Sequence, residues 1–110
     1  MTRFNPGLVH SPITPFKADQ SIDYDLYAKV LDFHLKNGAE ALAVPMPEGE
    51  DMSLRDPELR EIITFAIRHV KGRVPVIAHV SDAGTAIAVE RALFAEKAGA
   101  AAIVSHPPYF

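Results

Sequence analysis

NGAEALAV, residues 37–44, is the stretch on which the fold turns. Asn37-Gly38 is a helix stop, since both residues tolerate the left-handed conformation that closes a last turn. The run Ala41–Val44 that follows is apolar throughout, without the in–out alternation of a half-exposed strand. A strand of this kind is covered on both faces, which is the situation of parallel strands packed beneath helices. The same junction of helix end, glycine and alanine- or valine-rich strand recurs in KGRVPVIA (71–78) and KAGAAAIV (97–104). Three such junctions at unequal spacing describe successive βα units rather than copies of a solenoid module.

Working outward, each unit has a helix with its own start signal. Asp23 is a cap for a helix running to Lys36, with Leu26, Val30 and Phe33 at helical spacing. Asp56 followed by Pro57 predicts an N-cap with proline in the first turn. Leu59, Ile62, Ile63, Ala66, Ile67 and Val70 then mark the apolar face of a helix of about four turns. Gly84-Thr85 opens a third helix over 86–98, closed at Gly99. The expected strands are 8–11, 41–44, 74–80 and 101–105. The order β-α-β-α-β-α-β fits either an open doubly wound sheet or the first half of a barrel. Neither G-x-G-x-x-G after the first strand nor G-x-x-x-x-G-K-[ST] is present, so the usual nucleotide-binding signatures are missing.

Composition narrows the function classes. The 110 residues are 48% hydrophobic and 23% charged with a formal net charge of −3. That is ordinary for one globular unit and recommends neither nucleic acid nor an anionic membrane as partner. With no cysteine there is no disulfide framework, thiolate nucleophile or zinc–thiolate site. No run of eighteen apolar residues and no charged-then-apolar leader is evident. The expectation is a soluble cytoplasmic protein.

The loop PMPEGEDMSL (45–54) is the chemically dense segment, with Glu48, Glu50 and Asp51 crowded between prolines where a parallel α/β fold places its active site. These acids admit a pocket role, a solvated loop, or capping of the next helix by Asp51 or Ser53. Asp56, Glu58 and Glu61 suit the positive end of a helix. Tyr24 and Tyr27 read as helix-surface or packing residues, and Phe65 as a candidate for an outward-facing interface. His10, His79 and His106 fall near strand ends, and His34 and His69 lie on helices. His79 and His106 with Glu50 or Glu48 make one candidate two-histidine, one-carboxylate metal set; structural histidines are the plainer reading, and no metal is assigned.

Four segments in register over the whole chain carry a resemblance: SPITPF with DQSIDYDL, KNGAEALAV leading into PEGE and SL, GRVPVIAHV, and KAGAAAIVSHPPYF. Together they resemble the dihydrodipicolinate synthase/N-acetylneuraminate lyase family of Schiff-base aldolases and lyases. The resemblance implies a (β/α)₈ TIM barrel, a lysine on the sixth strand that forms an imine with a 2-oxo acid, no separate cofactor, and a homotetramer. Such a barrel takes roughly 250 residues. Residues 1–110 therefore read as a single partial domain, the N-terminal half of a barrel with strands 1–4 and helices 1–3. Lys17, Lys29, Lys36, Lys71 and Lys97 fall in turns, helices or helix ends. The imine lysine is expected outside this chain, which by itself should not turn over substrate.

The resemblance implies substrate-binding roles for Ser11, Pro47, Glu48, Gly49, Glu50, Tyr109 and Phe110. Aligning Gly49-Glu50 with the end of the family's Gly-Thr-Thr-Gly-Glu puts Pro47 and Glu48 where two threonines hold the substrate carboxylate. Proline lacks both hydroxyl and backbone donor. Two carboxylates about 4 Å apart repel by about 4 kcal/mol at an effective dielectric of 20. Tyr109 matches the first tyrosine of a Pro-Tyr-Tyr segment, and Phe110 replaces the second, which relays protons. These departures argue against dihydrodipicolinate synthase chemistry itself and leave a lyase, aldolase or dehydratase acting on a 2-oxo acid or sugar acid. The alternatives from other classes are a metal-dependent barrel enzyme using His79, His106 and Glu50, and a non-catalytic half-barrel that self-associates.

Overall fold

The computed structural model describes residues 7–107. Within them β1 (Val9–His10), β2 (Ala41–Val44), β3 (Val76–His79) and β4 (Ala102–Val104) alternate with α1 (Tyr24–Lys36), α2 (Asp56–Val70) and α3 (Thr85–Ala98). The four strands pair in chain order, every pair parallel, with Val9 opposite Ala41, Leu42 opposite Val76, and His79 opposite Val104. The fold is an α/β half-barrel.

Side chains alternate across these strands, and each face has its own partners. Leu42, Val44, Val76, Ala78 and Val80 face the helices, against Leu59, Ile62, Ile63, Ala66 and Val70 of α2 and Ala95 of α3. Each such Leu, Ile or Val contributes about 1.5–3 kcal/mol on leaving water. Ala41, Ala43 and Ile77 form the opposite face with Met46, Ala102 and Val104. Small side chains there leave the concave side of the sheet shallow.

Helix ends follow the local chemistry. Asp23 accepts from the Leu26 N–H at 3.0 Å and starts α1, while Lys71 (φ 53°) and Gly99 (φ 104°) close α2 and α3 in the left-handed conformation. Gly99 makes that turn without the penalty a side chain would bring. A short antiparallel bridge between Phe16 and Ile22 folds the turn 17–21 back on itself.

Several expectations need correcting. The N-cap of α2 is Arg55, not Asp56: Glu58 Oε1 accepts the Arg55 N–H at 2.9 Å, and Asp56 is freed to bind Arg60 and Arg91. Asp51 and Ser53 do not cap that helix; they form a separate 3-10 turn before it. On α1 the buried residues are Tyr27 and Leu31, whereas Leu26 and Phe33 are exposed. Tyr27 and Tyr24 both pack on half-buried Phe65, which selects the packing reading of these tyrosines and puts Tyr27 in the core. β1, β3 and β4 are shorter than the expected strands 8–11, 74–80 and 101–105, whereas β2 spans 41–44 as expected.

Candidate functional site

Since all strands run the same way, the segments after β1, β2, β3 and β4 emerge along one edge of the sheet. Ser11 follows β1 there and is half-buried. After β2 the chain makes two 3-10 turns, Pro47–Gly49 and Asp51–Ser53, joined by Glu50 in the left-handed conformation (φ 60°). Pro47, Glu48 and Glu50 are exposed and Gly49 is buried. Tyr109 and Phe110 lie outside the described residues.

Gly49 is the anchor of this loop. Its carbonyl accepts the buried Thr14 hydroxyl at 2.6 Å, which ties the β2 loop to the segment after β1. A Cβ at Gly49 would come within 3.0 Å of the Pro12 carbonyl oxygen and 3.1 Å of Thr14 Oγ1. That close approach favours glycine. Thr14 was not among the residues singled out from the sequence; a threonine between prolines is silent until its partner is known.

A second cluster sits beside it. His79, at the end of β3, is 1% exposed. Its Nδ1 lies 3.1 Å from Asp51 Oδ2, and its Nε2 lies 2.9 Å from Ser81 Oγ. The Ser81 oxygen also accepts the His106 backbone N–H at 2.6 Å. Asp51 thus stands at ion-pair distance from the imidazole, and the side-chain hydrogen bond of His79 is to the Ser81 hydroxyl. Burial pushes the His79 imidazole below the usual histidine range; Asp51 and a hydrogen bond to the Pro45 backbone oppose this, while His106 and Arg91 reinforce it.

Arg91 of α3 brackets the cluster. It donates to the Ser81 carbonyl at 2.9 Å and to Asp56 at 3.2 Å, and it stands 3.4 Å from Asp82. Asp82 in turn accepts the Gly84 N–H at the start of α3. A cavity of 260 Å³ opens here, lined by Met52, Leu54, Leu59, His79, Ser81 and Arg91 among others.

The proposed metal trio is not assembled. His79 and His106 do meet, edge to face with ring centroids 4.9 Å apart, but Glu50 is exposed on its left-handed residue and Asp51 takes the histidine instead. Among the described residues no three His, Asp or Glu side chains gather in a way that could hold a metal ion. His10 turns toward α1, its Nδ1 2.9 Å from that of His34; His69 pairs with Asp32. No helix among the described residues is long and apolar enough to cross a membrane.

The model of the dihydrodipicolinate synthetase family matches residues 5–110. A 4-hydroxy-tetrahydrodipicolinate synthase of Dechloromonas aromatica is 38% identical over 104 residues, covering 94% of this chain and 36% of that protein. A probable 5-dehydro-4-deoxyglucarate dehydratase of Bradyrhizobium diazoefficiens is 43% identical over 103 residues, covering 94% and 32%. Among solved structures, YagE, a dihydrodipicolinic acid synthase family protein of E. coli K12 in complex with pyruvate, superposes with a TM-score of 0.91. It is 33% identical, with 94% of this chain and 35% of that one covered. The chain thus spans about a third of the length of the relatives it matches.

Proposed function

The chain belongs to the dihydrodipicolinate synthetase family, and from that premise we propose that it supplies the N-terminal half of a lyase-type barrel acting on a 2-oxo acid or sugar acid through a Schiff base. The imine lysine lies in the part of the relatives that this chain does not match. An imine withdraws electrons from the neighbouring carbon and so eases making or breaking its bonds. The half-barrel contributes the rim at the C-terminal ends of β1 to β4, where barrel active sites form.

The observation that supports this most directly is the loop after β2. Gly49, locked by Thr14, keeps the family's turn, while Pro47 and Glu48 replace the hydroxyl side chains that the resemblance assigns to carboxylate binding. Exposed Glu48 is an acceptor for hydroxyl groups rather than a partner for an anion, so a hydroxylated sugar acid suits the site better than a bare 2-oxo acid. The similarity to a dehydratase named for 5-dehydro-4-deoxyglucarate points the same way. The exposed β4 residue Ile103 and the shallow face of Ala41, Ala43 and Ile77 suit a sheet that continues into further strands. Assembly into a homo-oligomer belongs to the same proposal.

The test is a substrate comparison on this sequence extended to the full length of its relatives. Turnover of 5-dehydro-4-deoxyglucarate or a similar hydroxylated 2-oxo acid is expected, without condensation of pyruvate into 4-hydroxy-tetrahydrodipicolinate. Efficient condensation overturns the reading of Pro47 and Glu48.

A further inference from the structure

We propose that Ser81 is an activated hydroxyl, driven by His79 and Asp51, that accepts an acyl group from a small ester or thioester held in the adjoining cavity. This goes beyond the imine chemistry and does not depend on it.

Three features carry the inference. The first is geometry. Asp51 Oδ2, His79 and Ser81 Oγ stand in sequence at 3.1 and 2.9 Å, with the carboxylate on Nδ1 and the hydroxyl on Nε2. The imidazole is placed to take the proton of the serine, and the nearby carboxylate supports the charge it gains. The second is rigidity. His79 is fully buried at a strand end, and the His106 N–H fixes the serine oxygen at 2.6 Å, using one lone pair and leaving the other. The third is access. Ser81 is half-buried and lines the 260 Å³ cavity, whose Met52, Leu54 and Leu59 walls favour an apolar acyl group.

The step balances within the named groups. Ser81 Oγ bonds to the carbonyl carbon as its proton passes to Nε2. The carbon–oxygen or carbon–sulfur bond of the leaving group breaks, and Nε2 returns the proton to that group. Water, deprotonated by the same nitrogen, then releases the acid and restores the serine. The groups facing His79 are Asp51, the Pro45 backbone carbonyl, His106 and Arg91, and burial favours the neutral imidazole, the form that accepts a proton.

Phenylmethanesulfonyl fluoride tests this on the intact chain, because its sulfonyl group occupies the acyl position and fluoride leaves. The expected result is one adduct, at Ser81, formed far faster than at exposed Ser53 or Ser105. Its rate should fall as pH drops through the His79 titration. Asp51→Asn, close in shape to the native residue, should slow labelling by about tenfold or more by removing the charge that favours the imidazolium. His79→Gln should abolish the preference for Ser81. Labelling of native Ser81 no faster than Ser53 and Ser105 overturns the proposal, and so does a rate untouched by Asp51→Asn.

Discussion

The Thr14 hydroxyl donates to the Gly49 carbonyl at 2.6 Å inside the protein, joining two loops that are 35 residues apart in the chain. This bond fixes the β2 loop relative to β1, and with it the positions of Pro47 and Glu48. Thr14→Val keeps the shape and leaves a buried carbonyl without its donor. Denaturant unfolding should show a loss of about 1–3 kcal/mol. Thr14→Ser should recover most of it.

Gly49→Ala places a methyl group 3.0 Å from the Pro12 carbonyl oxygen. The neighbour is backbone and cannot swing aside. Overpacking of this kind costs about 1–3 kcal/mol, so the midpoint of unfolding should drop with no change in slope. An unchanged midpoint would mean that the loop does not sit against the β1 segment.

Arg91 is the shared partner of Asp56, Asp82 and the Ser81 carbonyl. Arg91→Met keeps the aliphatic stem and removes all three interactions. A loss of about 1–3 kcal/mol is expected, larger than for Arg60→Met, because Arg91 also leaves a half-buried carbonyl unpaired.

Stability should fall on mild acidification. Burial holds His79 below its ordinary value of 6.5, and burial with His10 nearby does the same to His34. The unfolded chain therefore binds protons at a higher pH than the folded one. The stabilisation is complete above pH 6.5 and is lost as pH falls from there through the folded-state values. Unfolding midpoints between pH 8 and 5 should decline in that window, with a shallower slope in His79→Gln. A flat profile in the native chain contradicts the burial of a neutral imidazole beside Asp51, His106 and Arg91.

The path of the chain was readable because its signals are local. Ala41–Val44 is apolar on both faces, Gly99 closes a helix, and Leu59, Ile62, Ile63, Ala66 and Val70 repeat at helical spacing; each acts within a few residues. The buried face of α1 at Tyr27 and Leu31 is not legible locally, because Leu26, Val30 and Phe33 are equally apolar and only packing against Phe65 and the sheet selects it. The cap of α2 is hidden for a similar reason. Asp56 is a good cap by type, but Arg91, 35 residues away, draws its carboxylate off. The Asp51–His79–Ser81 alignment had only a faint signal. His79 and Ser81 are two residues apart, as residues sharing one side of a strand are, and Asp51 follows the neighbouring strand. Bringing them together took the register of β2 against β3. The proposed match of Pro47 and Glu48 to the family's threonines rests on the family pattern and not on the fold.

The most direct test of the lyase reading is borohydride trapping with pyruvate or a sugar-derived 2-oxo acid on this sequence extended to the full length of its relatives. The account predicts one covalent adduct, on a lysine outside residues 1–110, and none on Lys17, Lys29, Lys36, Lys71 or Lys97. No adduct with any 2-oxo acid would contradict the Schiff-base chemistry while leaving the half-barrel intact.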